Sequence, residues 1–302
     1  MDLTETDPIF MIKIQVKRLA SFCKMSEVAP LGLPNIGSSC WLNSVLQILL
    51  RSNQFVEAIT LHREDGKLHI LIFDLIFCIR KAELSEEETR RSSLEDVMRS
   101  YKNLHEGILT IHPIFRESSL NDCHEVLTYL INALHQESTK LPAPSYSAEE
   151  KIIAKDFEGS VSNILLTTVM CQSRITSDKT TLYETFNTYF VEVTEGKDLQ
   201  QMLDEKTFIH TSNLVFLSFI MPTEESREFK INNIIKINGK VYVLYGMIYY
   251  IIPMRHYIAL IKRYDEKGWF IMNDAHTSEF SQDDLFNKLQ SFPSIVAYGQ
   301  VK

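Results

Sequence analysis

A cysteine stands where a thiolate is favoured. The loop from Gly32 to Ser39 leads into Cys40, and the apolar residues that follow recur at helical spacing. A helix N-terminus carries partial positive charge and unpaired N–H groups, which lower a thiol pKa and can hold a developing oxyanion. Asn35, five residues upstream, offers a side-chain amide to the same oxyanion. The pattern predicts a nucleophile, although a cysteine at a helix start is more often a buried structural residue.

A histidine far along the chain is the matching candidate base. His256 opens an apolar strand. A second strand, Trp269 to Met272, ends in Asn273 and Asp274. In a hairpin, Asn273 or Asp274 can reach one imidazole nitrogen while the other nitrogen faces the thiol. This is the logic of nucleophile, base and orienting residue, although a single strand histidine is more often a core residue.

Two kinds of element must hold these side chains. Helical periodicity runs from about 41 to 138, and the segment 92–95 within it has the pattern of a helix start with a capping box. After a loop at 142–144, β-branched and aromatic runs take over, and Asn238-Gly239 is the strongest hairpin signal. Helices followed by antiparallel strands predict an α+β fold with a cleft where the two halves meet. Residues 1–28 are predicted to be an extension ahead of a main domain at 29–302.

The composition restricts the class of protein. The 302 residues are 45% hydrophobic and 23% charged, which suits one large globular domain or two small ones. No apolar run is long enough to span a bilayer, and the first residues do not have the pattern of a signal peptide, so we expect no membrane anchor. A net charge of −8 argues against a nucleic-acid partner.

The cysteines indicate a reducing compartment. They are five, an odd number with irregular spacing, which favours free thiols over a disulfide framework. No CxxC pair occurs, and the nine histidines are not grouped with cysteines at the spacing of zinc ligands, so we expect no metal and no cofactor. The expected location is the cytoplasm or nucleus, or the host cytosol if the chain comes from a virus or an intracellular bacterium.

Three stretches resemble the motifs of ubiquitin-specific proteases, which are papain-like cysteine peptidases. Gly32 to Gln47 is similar to the family's cysteine box, a loop with glycines and an asparagine, then the cysteine, an aromatic residue and an Asn-Ser pair. His256 to Asp274 is similar to the histidine box, and Ala297-Tyr298 to the closing strand. Between them, Asn121 to Leu127 is similar to the family's acidic helix. The resemblance covers all of the chain except the predicted extension.

The resemblance implies a fold and a reaction. It implies a helical thumb at about 29–145, and an antiparallel palm with reduced fingers at about 146–302. The reaction is hydrolysis of the bond after the C-terminal glycine of ubiquitin or a ubiquitin-like modifier. Cys40 attacks, His256 takes and returns the proton, and Asn273 orients the imidazole. Asn35 occupies the position of the oxyanion amide, with Asp274 as an auxiliary that polarises the same region.

Substrate contacts are also implied by the resemblance. Asp122 and Glu125, one helical turn apart, match acidic positions that receive the arginine-rich tail of ubiquitin in the family. Without the resemblance, such a pair is simply a solvated helix face. The narrow channel for a Gly-Gly tail needs bulky walls. Trp41, Tyr257 and Tyr250 can form these walls or belong to the core.

Departures from the family pattern lie beside the predicted chemistry. Arg255 replaces the glycine before the histidine, where it can narrow the channel, alter modifier preference or contact a substrate carboxylate. The pair Ser38-Ser39 replaces asparagine-threonine before the cysteine. In the fingers, only Cys171 remains of the zinc-binding CxxC pairs, and Arg174 stands in its partner's place. A shortened, zinc-free fingers region is therefore predicted.

Two other functions stay open at the level of the sequence. One is a catalytically weak or silent module that binds ubiquitin through the same surface, which Arg255 and the reduced fingers suggest. It predicts binding that survives Cys40→Ala, with no turnover by the intact protein. The other is a different Cys-His-Asp enzyme, such as an acyltransferase or transglutaminase-like protein, which acceptance of a small acyl donor would support. Modifier preference, chain linkage and oligomeric state do not follow from the sequence.

Overall fold

The described part of the chain consists of eight segments. The structure is a computed structural model that describes residues 29–117, 121–140, 167–172, 181–186, 188–220, 230–263, 268–281 and 292–301. The predicted extension at 1–28, the loop at 142–144 and Arg174 lie outside these residues. Among the described residues, no helix combines the length and the apolar character that a membrane crossing requires.

Helices make up the first half of the described chain. They are α1 (Cys40–Leu50), α2 (Asn53–Leu61), α3 (Lys67–Glu83), α4 (Glu87–Ile111), α5 (Ile114–Glu117) and α6 (Cys123–Thr139). Every residue of α1 is buried, including the polar side chains of Asn43, Ser44 and Gln47, so the helix is central to the core. It packs against α2 and α6 on one side and against the sheet on the other.

The predicted helix start at 92–95 is wrong. Helix α4 begins at Glu87, and its first turn carries the carboxylates of Glu87 and Glu88, which the helix dipole favours. The hydroxyl of Ser93 lies 2.7 Å from that of Ser85 and does not cap a helix. The pattern of a capping box therefore falls in the interior of a longer helix.

Strands dominate the second half. They are β1 (Thr167–Gln172), β2 (Thr181–Phe186), β3 (Tyr189–Glu192), β4 (Thr207–His210), β5 (Leu214–Ile220), β6 (Ile234–Ile237), β7 (Lys240–Ile251), β8 (His256–Lys262), β9 (Gly268–Asn273), β10 (His276–Ser281) and β11 (Pro293–Gln300), with a short helix α7 (Leu199–Asp204) after β3. The main sheet runs β10-β9-β8-β7-β11-β5-β3, with β6 paired to β7, and a smaller sheet runs β2-β1-β4. Only β3 and β5 pair in parallel among the described strands. The predicted α+β fold is confirmed.

The Asn238-Gly239 hairpin is confirmed. Strands β6 and β7 pair antiparallel, with Ile237 opposite Lys240. Asn238 and Gly239 have φ of 50° and 74°. Two successive positive φ values give the turn whose twist matches that of the flanking strands.

Helix α1 lies across strand β8, and this contact positions the candidate site. Alternate residues of β8 point to opposite sides, so Tyr257 and Ala259 pack in the core that contains α1. Ile258 and Leu260 pack in a second core on the other face of the sheet. Cys40 therefore begins a helix that rests directly on the strand opened by His256.

Candidate active site

The loop before Cys40 is held by its own side chains. Gly37 and Ser38 have φ of 59° and 68°, which turns the chain sharply into α1. The backbone N–H of Ser39 donates to Asn35 Oδ1 at 3.0 Å. The backbone N–H of Ile36 donates to Ser39 Oγ at 2.9 Å. Because this hydroxyl serves the loop, Ser39 makes no side-chain cap on α1, and the first N–H groups of the helix are left for another acceptor.

The Cys40 thiol is buried, with 3% of the residue exposed. Burial raises its pKa above the ordinary value, and the negative charge of Asp274 adds to the rise. Backbone N–H groups, foremost that of Tyr257, oppose the rise without cancelling it. The lowered pKa expected from the helix N-terminus alone is therefore reversed, because loss of solvent outweighs the backbone dipoles. A raised pKa favours the protonated thiol over the thiolate.

His256 and Asn273 form a hydrogen-bonded pair. His256 begins β8 and Asn273 ends β9, and the distance from His256 Nε2 to Asn273 Oδ1 is 2.7 Å. With the amide oxygen as acceptor, Nε2 carries the hydrogen and Nδ1 is the basic nitrogen. The histidine is thus held in the tautomer that a general base requires, with its ring oriented by a neighbouring strand.

Asp274 joins all parts of the site. Its Oδ2 accepts from Asn35 Nδ2 at 2.7 Å and lies 3.7 Å from His256 Nε2. Its Oδ1 accepts from Asn43 Nδ2 at 2.7 Å. Its backbone carbonyl accepts from the N–H of Leu33 at 2.9 Å. One carboxylate therefore ties together the cysteine loop, helix α1 and the histidine hairpin.

Gly32 permits the close contact between the loop and the hairpin. A Cβ at this position would lie 2.5 Å from the backbone of Asp274 and of Ala275. No side chain fits there without moving one of the two segments. The glycine of the cysteine box is thus explained by the approach of two backbones.

Asn43 is a site residue that the sequence analysis did not identify. It is buried one turn after Cys40 on α1, and it donates to Pro34 O at 3.1 Å as well as to Asp274. Residues three apart on a helix share a face. A polar amide one turn after the candidate nucleophile was the available signal.

Asn35 is already engaged by Asp274. The amide of Asn35 donates one hydrogen to Asp274 Oδ2. An amide nitrogen carries two hydrogens, so the second stays available to another acceptor. The residue is exposed, and the loop bond through its Oδ1 fixes the direction of the amide.

The three aromatic candidates for a channel wall differ in position. Trp41 is 3% exposed and packs on Phe115, with ring centroids 5.5 Å apart, so it belongs to the core. Tyr257 is also buried, and Tyr250 is half-buried against it, with ring centroids 4.8 Å apart. The packing of Trp41 could not be read from its position in the motif.

The acidic pair lies on the first turn of α6. Asp122 caps this helix, accepting from the backbone N–H of His124 at 2.6 Å, and Glu125 follows within the turn. Both carboxylates are exposed. Tyr257 connects this turn to the nucleophile, because its backbone N–H bonds the Cys40 thiol and its side chain bonds Cys123.

Arg255 is exposed and has a left-handed backbone conformation. Its φ is 49°, and its backbone N–H donates to Ile252 O at 3.1 Å. Ile252 and Met254 beside it are also exposed. Within the described part of the chain, no ion pair or side-chain hydrogen bond engages the guanidinium. The exposed guanidinium of Arg255 thus lies next to His256, and the backbone of Arg255 has a conformation that favours glycine.

The family is decided by a match across most of the chain. The family model described as ubiquitin carboxyl-terminal hydrolase matches residues 31–298. The chain belongs to this family. The match confirms the resemblance that the three motifs indicated.

Curated relatives of this hydrolase-family chain are longer proteins. Ubiquitin carboxyl-terminal hydrolase 25 of Arabidopsis thaliana is 31% identical over 146 residues, which are 46% of this chain and 21% of the relative. Ubiquitin carboxyl-terminal hydrolase 26 of Homo sapiens is 29% identical over 110 residues, which are 36% of this chain and 12% of the relative. The chain thus matches about a fifth or less of these relatives' length.

Solved structures show the same fold. The SAGA Ubp8/Sgf11/Sus1/Sgf73 DUB module bound to ubiquitin aldehyde superposes with a TM-score of 0.61 at 16% identity, covering 98% of this hydrolase-family chain and 76% of that chain. An essential yeast splicing factor superposes with a TM-score of 0.58 at 13% identity, covering 90% and 69%. At these identities the likeness concerns the fold, and it confirms the predicted fold class.

Proposed function

We propose that this chain is a cysteine peptidase that hydrolyses the peptide or isopeptide bond after the C-terminal glycine of ubiquitin or a ubiquitin-like modifier. The observation that carries the proposal is the Asp274 network, which joins Asn35, helix α1 and the hairpin of His256 and Asn273. Family membership supports the reaction class. A similar solved structure holds ubiquitin aldehyde, which supports the substrate class.

In the proposed reaction, Cys40 is the nucleophile and His256 the base. His256 Nδ1 takes the thiol proton as the sulfur attacks the scissile carbonyl carbon. The tetrahedral intermediate collapses, the C–N bond breaks, and the proton passes from His256 to the leaving amine. Water, deprotonated by the same imidazole, then hydrolyses the thioester and restores the thiol. Asn273 holds the ring through the bond from Nε2.

The oxyanion is assigned to donors at the start of α1. The backbone N–H groups of Cys40 and Trp41 reach the sulfur in the resting state. The second amide hydrogen of Asn35 is the third donor, and Asp274 holds that amide in place. Donors fixed before the reaction stabilise the developing charge without reorganisation.

The raised pKa of Cys40 defines the order of events. The thiol keeps its proton until the substrate excludes water and His256 takes the proton during attack. A preformed thiolate–imidazolium pair is not part of the proposed resting state.

Substrate contacts are proposed on both sides of the nucleophile. The exposed carboxylates of Asp122 and Glu125 bind the basic residues that precede the modifier's Gly-Gly end. Tyr257 forms a wall of the channel between this pair and Cys40. Arg255, exposed next to His256, binds a carboxylate of the substrate.

A second candidate is a silent module that binds the modifier without cleaving it. Two observations favour it: the raised pKa of Cys40, and Arg255 at the entrance in place of glycine. It predicts no turnover by the intact chain, and an affinity for the modifier that Cys40→Ala leaves unchanged. Turnover by the intact chain would eliminate it.

We also propose that the thumb spans about 29–145 and that the palm and fingers span about 146–302. We further propose that the chain is located in a reducing compartment, the cytoplasm or nucleus. The helices α1–α6 and the strands β1–β11 fall on the two sides of the proposed boundary, which supports the division. Cys40, Cys78 and Cys123 are free thiols, which supports the compartment.

Hydrolysis of a fluorogenic amide at the C-terminus of ubiquitin tests the proposal. We expect turnover by the intact chain, complete loss in Cys40→Ala, and no change in Cys78→Ala, which removes a thiol from α3 away from the site. The same amides of SUMO and other ubiquitin-like modifiers measure modifier preference. No turnover of any of these substrates by folded protein would contradict the proposal and favour the silent module.

A further inference from the structure

A group of three different metal-ligating side chains lies at the start of α6, outside the Cys40 site. Asp122, Cys123 and His124 each offer one ligand atom, and these atoms lie within 4.8 Å of one another. The group contains a carboxylate oxygen, a sulfur and an imidazole nitrogen. Such a mixed set suits zinc and its neighbours better than calcium or magnesium, which take oxygen ligands.

The local fold fixes these three side chains before any ion binds. Asp122 is held as the cap of α6 by the N–H of His124 at 2.6 Å. Cys123 is fully buried. The His124 ring packs on Phe190 with centroids 5.4 Å apart, and its Nε2 lies 3.4 Å from Ser218 Oγ. A tight group of ligands on ordered elements loses little freedom when it binds a metal.

A separate observation on His124 points to a missing partner. Its Nδ1 atom is buried and has no hydrogen-bond partner among the described residues. Buried polar atoms in proteins are nearly always satisfied by a protein group, a water or an ion. The ring therefore carries a nitrogen that lacks a partner in this part of the chain, and one ligand atom of the same ring lies within 4.8 Å of the ligand atoms of Asp122 and Cys123.

We propose that Asp122, Cys123 and His124 form a binding site for a zinc-like divalent cation. Three protein ligands leave a fourth position for water or a substrate group, as in zinc sites that exchange a ligand. The sequence analysis expected no metal, because it searched for ligands at the spacing of zinc motifs. In this group the three ligands are consecutive residues, which the start of α6 brings together.

The bound ion regulates access of the modifier. This part of the inference rests on the proposed function, in which Asp122 binds the modifier's basic tail. An ion on Asp122 neutralises that carboxylate and adds positive charge beside the tail. Zinc is therefore a competitive inhibitor that raises KM while kcat is unchanged.

Zinc binding is measured by calorimetry in the full chain carrying Cys40→Ala, which removes the thiol of the other Cys-His pair. We expect one saturable site per chain, weakened at least about tenfold in His124→Gln and in Cys123→Ser. The matched controls Cys78→Ser and His276→Gln change a thiol and an exposed histidine elsewhere and should bind as the parent does.

Two results separate this inference from the proposed function. Absence of saturable zinc binding in the Cys40→Ala chain, or binding unchanged in both ligand variants, overturns the site whether or not the chain is active. In the active chain, zinc should raise KM for the ubiquitin amide, and His124→Gln should weaken this effect relative to its own metal-free rate. A fall in kcat that persists in His124→Gln would place the inhibition at Cys40 and overturn the regulatory role.

Discussion

Cys40 and Cys123 each begin a helix, but the residues that surround the two thiols differ. Each is the buried first residue of a helix, and each contacts Tyr257, Cys40 through the backbone N–H and Cys123 through the side chain. Burial raises the pKa of both thiols. Asp274 ties the loop and helix of Cys40 to the hairpin of His256, whereas Cys123 stands between an acid cap and a histidine of the same turn.

The comparison shows that a helix N-terminus does not make a nucleophile. Backbone N–H groups lower the pKa of both thiols, and at neither cysteine do they overcome burial. In the proposed function, what separates the two cysteines is a base on another element, His256, which removes the proton of Cys40 during the reaction. The two proposals thus give the start of one helix to a nucleophile and the start of another to a metal ligand.

Removal of each cysteine tests the comparison most strongly. Cys40→Ala should lower turnover of the ubiquitin amide by about 10⁴-fold or more, because the covalent step is lost. Cys123→Ala should lower it by less than about tenfold, since truncation of a buried side chain mainly reduces stability. The rate of ubiquitin amide hydrolysis is measured for each variant, and circular dichroism checks that the variant is folded. Equal losses in the two variants would contradict the assignment of the nucleophile.

Asp274→Asn separates two proposed effects of the Asp274 carboxylate, which holds the catalytic groups in place and raises the pKa of Cys40. Turnover should fall by about 10²-fold or more, because the donors and the imidazole lose their common acceptor. Alkylation of Cys40 by iodoacetamide should become faster, because the charge that helps to raise the thiol pKa is gone. Asp204→Asn, on α7, is the control carboxylate. Slower alkylation together with slower turnover would mean that Asp274 activates the thiol.

The pH dependence of alkylation tests the resting state of Cys40. The thiolate is the reactive form, so a raised pKa places half-maximal reactivity above about pH 8.5, the value of a free thiol. The rate should therefore keep increasing as pH rises from neutral, measured in Cys78→Ala protein by mass spectrometry of the Cys40 peptide. A rate that reaches its plateau below neutral pH would indicate a preformed ion pair.

Gly32→Ala tests whether the loop and the hairpin must touch. The added Cβ meets the Asp274 backbone at 2.5 Å, so the free energy of unfolding should fall by about 1–3 kcal/mol. At Gly299 the nearest atom to an added Cβ is 3.5 Å away, and Gly299→Ala should change stability by about 0.5 kcal/mol or less. Chemical denaturation measures both. Equal stabilities would mean that the loop moves without cost.

Arg255→Gly should have a small effect on stability. A left-handed conformation costs a side chain about 1 kcal/mol, so the variant should be up to that much more stable. Lys140, which ends α6 with φ of 61°, gives the matched variant Lys140→Gly away from the site. We expect a change in KM for the modifier only in Arg255→Gly. A change of similar size in both variants would argue that Arg255 has no role in binding.

The features that could be predicted from the sequence depend on residues that are close along the chain. The hairpin at Asn238-Gly239 follows from turn chemistry, and the pairing of His256 with Asn273 follows from the geometry of two adjacent strands. Both need only residues that are close along the chain or fixed by one turn. The family followed from short motifs, and the family model matches residues 31–298.

Features that depend on burial could not be predicted in the same way. The pKa of Cys40 depends on how much solvent the whole fold removes, and the core position of Trp41 depends on packing against α5. Asn43 became a site residue only when a hairpin more than 200 residues away placed Asp274 beside it. The start of α4 lies outside the capping pattern because local hydroxyl groups found other partners.

The most direct test is reaction of the intact chain with ubiquitin that carries an electrophile at its C-terminus, followed by mapping of the modified residue by mass spectrometry. We expect one ubiquitin-sized adduct, attached to Cys40, that is absent in Cys40→Ala and retained in Cys78→Ala and Cys123→Ala. An adduct on another cysteine, or none from folded protein with any modifier, would contradict the assignment of Cys40 as the nucleophile of this fold.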